Sequence, residues 1–229
     1  QTLIALDRTE EALVEARAVV ALRRQILPPL HRDLARSLGQ QANIEARLGA
    51  FDNARRVRAE AIELWRAQVR PDPVQLGHEL TNQAVDDFRD GELSAAASDL
   101  NEALANLQPA LEPGDPRVLA ASSYLGLVES FLGQITAAEQ RLREVQRLEL
   151  SQPGYPLGQK LATARYLARA LRWQGRIPEA QAAMDQAQSW MQQPGATVSA
   201  MARARNQVEL ALTQLAAGQL DAAQAHADL

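Results

Sequence analysis

The sequence predicts an all-α solenoid of antiparallel helix pairs, and three observations carry that prediction. Glycines recur with a period of about 42 residues, an alanine stands five residues after each of them, and the prolines fall between the repeating segments. Gly49, Gly91, Gly133, Gly175 and Gly218 are separated by 42, 42, 42 and 43 residues in a chain that holds only 12 glycines.

Each column has a mechanical reason. Glycine enters the left-handed region without steric cost, so each of the five ends one helix and reverses the chain. Ala54, Ala96, Ala138, Ala180 and Ala223 follow five residues later, and stepping back 42 from Ala54 reaches Ala12. Seven residues before the glycines stand Ala42, Ala84, Gly126, Ala168 and Ala211. Small residues on both sides of a turn let two antiparallel helices approach closely, where a bulky side chain would wedge them apart. Phe51, Leu93, Ile135, Ile177 and Leu220, two residues after the glycines, pin the turn.

Between the turns, stretches such as 34–48 and 54–64 carry apolar residues at three- and four-residue spacing and contain no proline, the pattern of an amphipathic helix. Strand-type alternation is absent. Pro28 and Pro29, Pro71 and Pro73, Pro109, Pro113 and Pro116, Pro153 and Pro156, and Pro194 punctuate the longer connections. Pro178 is the exception and is expected in the first turn of a helix, where its missing donor costs little.

These columns resemble the tetratricopeptide repeat. The run Leu34-Ala35-Arg36-Ser37-Leu38, continuing through Ala42-Asn43 and Gly49-Ala50-Phe51 to Ala54, is similar to the long 42-residue variety of kinesin light chains, which also occurs in bacterial signalling and regulatory proteins. The linker Leu111-Glu112-Pro113-Gly114-Asp115-Pro116 resembles that variety's proline-containing loop. The resemblance implies a right-handed superhelix whose first helices line a concave groove. It departs from the family where large aromatics are usual, at Leu38, Leu80, Ser122, Ala164 and Gln207, and its tyrosine column is broken at Glu45 and Val128. Phasing gives a single array: a partial repeat over 1–27, full repeats over 28–69, 70–111, 112–153 and 154–195, and a partial repeat over 196–229. The first glycine column would fall at Asp7, and the last repeat stops at Leu229 inside its second helix. The phasing therefore reads the chain as a fragment of a longer protein.

Composition narrows the function. A net charge of −4, from 24 basic and 28 acidic residues, supplies no global field for nucleic acid. No apolar run is long enough to span a bilayer, and no secretory signal opens the chain. With no cysteine there is neither a disulfide framework nor a thiolate site, which fits a cytoplasmic setting. His31, His78 and His226 lie in different repeats, and His78-Glu79 lacks the rest of a zinc-binding H-E-x-x-H. The acidic run from Asp86 to Gly91 places Phe88 and Ala97 where a calcium loop needs ligands, so it reads as a helix end. Phosphate-binding glycine loops are also missing. The expectation is no metal, no cofactor and no catalytic residue in this segment, with an enzymatic domain elsewhere in a parent chain left open.

Counting back from the glycines, positions two, six, nine and thirteen earlier form one stripe on the first helices that the packing columns do not use. Its polar and basic half comprises Arg36, Gln40, Asn43, Arg47, His78, Asn82 and Arg89; its aromatic half comprises Tyr124, Phe131, Tyr166, Arg169 and Trp173. One reading makes the stripe a groove for an extended protein or peptide segment, with asparagines gripping backbone amides, arginines pairing acidic groups and aromatics stacking on side chains. The other makes it inter-repeat packing and a solvated face. Phe88, Trp65 and Trp190 are expected in the core or between repeats. The sequence thus predicts a protein-binding scaffold within a larger signalling or regulatory protein. Two alternatives stand beside it: a ligand-sensing array controlling an attached output domain, and a structural array that self-associates.

Overall fold

A computed structural model of the chain describes residues 8–227, and the expected column position at Asp7 lies outside them. The described residues are all-α, with no strand among them. The first helix, α1, spans Thr9–Ile26 and carries Ala12 in the alanine column. Five pairs follow: α2 (Arg32–Arg47) with α3 (Phe51–Arg66), α4 (Pro73–Arg89) with α5 (Leu93–Leu107), α6 (Pro116–Phe131) with α7 (Ile135–Leu150), α8 (Leu157–Trp173) with α9 (Ile177–Met191), and α10 (Ala200–Ala216) with α11 (Leu220–Ala227). They fall into two compact units, residues 1–111 and 112–229, and the break coincides with a repeat boundary. No described helix is long and apolar enough to cross a membrane.

Each pair is joined by the same turn. The five glycines take φ between 74° and 84°. At the first turn Ala50 N–H reaches back to the Glu45 carbonyl at 2.9 Å and Gly49 N–H to Ala46 at 3.1 Å, the two bonds of a Schellman closure. Gln134 with Glu129, Arg176 with Leu171, and Gln219 with Gln214 repeat the longer bond. The same residue that closes the first helix opens the second, since Ala54 N–H donates to the Ala50 carbonyl at 3.0 Å. Nothing in the interior occupies the space beside these glycines, so their requirement is conformational.

The small columns behave as expected of a close crossing. Ala42, Ala54, Ala96, Ala138, Ala168 and Ala180 are wholly buried. A Cβ on Gly126 would stand 2.7 Å from Leu142 Cγ, so only glycine lets α6 and α7 meet at this distance. Trp65 is fully buried with Ala35, Ile62, Leu76 and Leu80, as expected of a core residue. Pro178 stands in the first turn of α9. Asp72 and Ser199 cap α4 and α10 by accepting from the backbone N–H three residues on, and Asp115 and His31 Nδ1 cap α6 and α2 from the N–H two residues on.

Residues 1–111 also hold a buried ionic network. Arg58, on α3, donates through Nε to Asp86 at 3.0 Å, and through Nη1 to Glu79 and to Asn43 Oδ1, both at 3.0 Å. Arg58, Glu79 and Asp86 are each less than 5% exposed. Gly39 makes this possible, because a Cβ there would collide with the Glu79 carboxylate. At the position of Arg58 the other repeats carry Leu100, Leu142 and Met184; at that of Asp86 they carry Ile44, Val128, Ala170 and Thr213. The frame therefore accepts uncharged, mostly apolar residues at both sites.

Removing one member should strand a buried charge, so Asp86→Ala is expected to cost about 3–5 kcal/mol in urea unfolding. Replacing the set together, as Arg58→Leu, Glu79→Ala and Asp86→Val, should recover most of that loss. At the turns, Gly133→Ala should cost about 1–2 kcal/mol through its positive φ alone, read by the same unfolding measurement.

Candidate functional site

The predicted stripe lies on the first helices, and its polar half is divided between exposed and committed side chains. Arg36, Gln40 and Arg47 on α2 are exposed, and Arg36 lies 3.6 Å from Asp33. Asn43, expected to grip a peptide, already accepts from Arg58. On α4, Asn82 Nδ2 lies 3.2 Å from His78 Nε2. Arg89 donates to Asp86 at 2.6 Å, while its guanidinium carbon stands 3.8 Å from the Phe51 ring centre. That stacking fixes a cation over a partly exposed aromatic.

The aromatic half forms two ring pairs between α6 and α8. Phe131 and Trp173 meet edge to face, with ring centres 5.1 Å apart and planes at 87°. They are 42% and 43% exposed, so this pair presents apolar surface to solvent. Arg169 is held beside it, 5.5 Å from the Phe131 ring centre, by bonds of 3.2 and 2.6 Å to Glu209 Oε2. Arg172 takes the other oxygen of that buried carboxylate at 2.9 Å. One acid from α10 thus anchors two arginines of α8.

Tyr124 and Tyr166 form the second pair, with ring centres 6.0 Å apart. Tyr124 is half-buried and Tyr166 is buried, so this part of the stripe is a wall and not an open surface. The wall belongs to a cavity of about 290 Å³ that the sequence reading did not anticipate, lined by residues of α6, α7, α8 and α10. At its side lies Glu149, 1% exposed. Thr163 Oγ1 donates to Glu149 Oε1 at 2.9 Å and, its hydrogen so used, accepts from Ser123 Oγ at 3.0 Å. Glu149 Oε2 is buried with no hydrogen-bond partner. Burial pushes this carboxyl up to about 7, against the opposing effects of Thr163 and Lys160. Arg165 lines the same cavity, is 7% exposed, and has its guanidinium pushed down by burial.

A carboxyl pair, Asp87 and Asp99, sits in the first unit. Burial raises Asp99 to about 6, with the neighbouring Asp87 carboxylate adding to the shift. Among the described residues no cluster of three or more His, Asp or Glu side chains could hold a metal ion.

No protein-family model matches the sequence, and no curated protein matches it either. Solved structures do. BtubC (BKLC) from P. vanneervenii superposes with a TM-score of 0.71 at 17% identity, covering 97% of this chain and 86% of that one. A putative kinesin light chain of nearly identical TPR-like repeats from Podosopora anserina gives 0.68 at 22% identity over 86% and 93%. A tetratricopeptide repeat protein from Parabacteroides merdae gives 0.65 at 17% identity over 98% and 73%. The fold is that of tetratricopeptide-like repeat proteins. In that frame α2, α4, α6, α8 and α10 are the first helices of their pairs; the exposed Phe131–Trp173 edge lies on them, and they line the cavity together with Glu149 of α7.

Glu149 gives the site a pH signature. Its carboxyl is raised above the ordinary 4.5, so the neutral acid favours folding and the ionised form opposes it. The stabilising preference is complete below pH 4.5 and is lost as pH rises through about 7. Comparing thermal melting of the chain with that of Glu149→Gln should show the native protein losing stability relative to the variant across that window, with a flat difference above it.

Proposed function

We propose that this chain is a protein- and peptide-binding scaffold, a module of a larger signalling or regulatory protein working in the cytoplasm. The observation that carries the reading is the Phe131–Trp173 edge. Two large aromatics, both more than two-fifths exposed, are locked edge to face beside an arginine that Glu209 holds in place. Rigid aromatics next to a fixed cation lose little conformational freedom when they are covered, which is what a binding hot spot needs. The segment they suit has an apolar or proline-bearing side chain for the rings and an acidic group for the guanidinium. Tetratricopeptide-like relatives of solved structure, a putative kinesin light chain among them, support the scaffold reading at the level of fold. In the first unit, exposed Arg36 and Arg47 with Arg89 stacked on Phe51 offer a basic surface for acidic segments.

Selection of short random peptides displayed on phage against the whole chain should enrich extended sequences that combine an aromatic or proline with acidic residues. The double variant Phe131→Ala, Trp173→Ala should weaken the best of them by roughly tenfold to a hundredfold at unchanged helicity, as loss of a central aromatic anchor does. Failure to enrich any such peptide, or equal affinity for the double variant, would remove the reading.

A further inference from the structure

The cavity on α6, α7, α8 and α10 goes beyond a protein-binding edge. Aligning the 42-residue columns shows how unusual its residues are. Glu149 stands sixteen residues after its glycine, the position that holds Trp65, Leu107 and Met191, all buried apolar side chains. Arg165 stands ten residues before its glycine, where the other repeats have Gly39, Thr81, Ser123 and Val208. The fold demands neither charge. A buried acid in a core column and a buried cation in a column of uncharged residues are costly unless something compensates them.

Compensation within the chain is incomplete. Glu149 Oε2 has no partner, and the amide oxygen of Gln159, in the same cavity lining, is buried and unpartnered as well. The Gln159 oxygen is an acceptor, and Glu149 becomes one when ionised, the form that a cationic N–H donor favours and burial alone opposes. Arg165 has the opposite surplus. It forms no salt bridge with any described carboxylate; its neighbours are the phenol of Tyr166, with which it hydrogen-bonds, the phenol of Tyr124 and a second cation, Arg205, on the same lining. Two guanidiniums that repel each other, neither in a salt bridge with a described carboxylate, call for an anion. Acceptors and cations thus line one cavity without neutralising one another.

We infer that this cavity is a binding site for a small zwitterion of the α-amino acid class, its ammonium donating to Glu149 and Gln159 and its carboxylate received by Arg165 and Arg205. A volume of about 290 Å³ falls just below the range for ligand pockets, roughly 300–1,000 Å³, and suits an amino acid better than a nucleotide. Tyr124 and Tyr166 supply the apolar wall for its side chain, and the Ser123–Thr163–Glu149 chain of hydroxyls holds the carboxylate in one orientation.

The test is isothermal titration of the whole chain with the common L-amino acids one at a time, followed by the N-acetyl and the amide derivatives of the one that binds best. Saturable binding by at least one is expected. Acetylation, which removes the ammonium, and amidation, which removes the carboxylate, should each weaken it by roughly tenfold or more. Glu149→Gln and Arg165→Met should produce comparable losses. Arg205→Gln, at an exposed position, should weaken binding while leaving the fold untouched. No heat of binding from any amino acid at millimolar concentration would overturn the assignment, as would derivatives that bind as well as the parent. The derivative comparison uses the unaltered chain, so it decides the matter even if a buried variant fails to fold. The peptide selection reads the Phe131–Trp173 edge and stands or falls separately.

Discussion

Everything in this chain hangs from a three-residue reversal. The left-handed glycine lets two backbone N–H groups return to the carbonyls of the helix just ended, and the next residue's carbonyl starts the following helix. No residue is left over in which the second helix could rotate relative to the first. The alanines five residues on and the small residues seven back therefore fall opposite one another in each pair, and the backbones close to the distance that those side chains permit. The constraint is one of phase: given the turn, every later position has a fixed environment, which is why positions 42 apart can be compared as if they were the same site.

That comparison separates what the fold requires from what has been added to it. In residues 1–111 the addition is ionic, with Arg58 joining α2, α3 and α4 through Asn43, Glu79 and Asp86. In residues 112–229 it is aromatic and amphoteric, with Phe131 against Trp173 at one end of the first helices and a polar cavity at the other. Buried ion pairs seldom raise stability over well-packed apolar residues, and the other repeats carry uncharged, mostly apolar residues at the Arg58 and Asp86 positions. The network suits the role of setting which helices meet.

The glycine, alanine and proline columns were legible in the sequence because their causes are local: a φ angle, a close crossing, a missing donor. The helix pairs and the burial of Trp65 follow from them. The stripe puts Phe131, Trp173, Tyr124 and Tyr166 on neighbouring first helices but reads them as groove residues; their pairing, one period apart, is a finding of the structure. The cavity was not legible. Glu149 sits in a stretch rich in arginine and glutamate that reads as a solvated helix face, and only its column partners Trp65, Leu107 and Met191 reveal a buried position. Arg58 is hidden the same way, in a helix with arginines at 55, 56 and 58 of which only the last is buried. A charge's burial depends on the neighbouring pair, and periodicity within one helix does not carry that information.

Gly39 shows how far such dependence reaches. Its missing side chain is the space that the Glu79 carboxylate fills, one repeat along. The equivalent first-helix positions carry Thr81, Ser123, Arg165 and Val208, any of which would thrust atoms into that carboxylate if its helix were put in the place of α2. Transposing repeats would therefore damage a chain whose units look alike on paper. The serial order of the array is written into pairs of neighbours, a bulky group in one answered by a gap in the next, so that each repeat has an address as well as a shape.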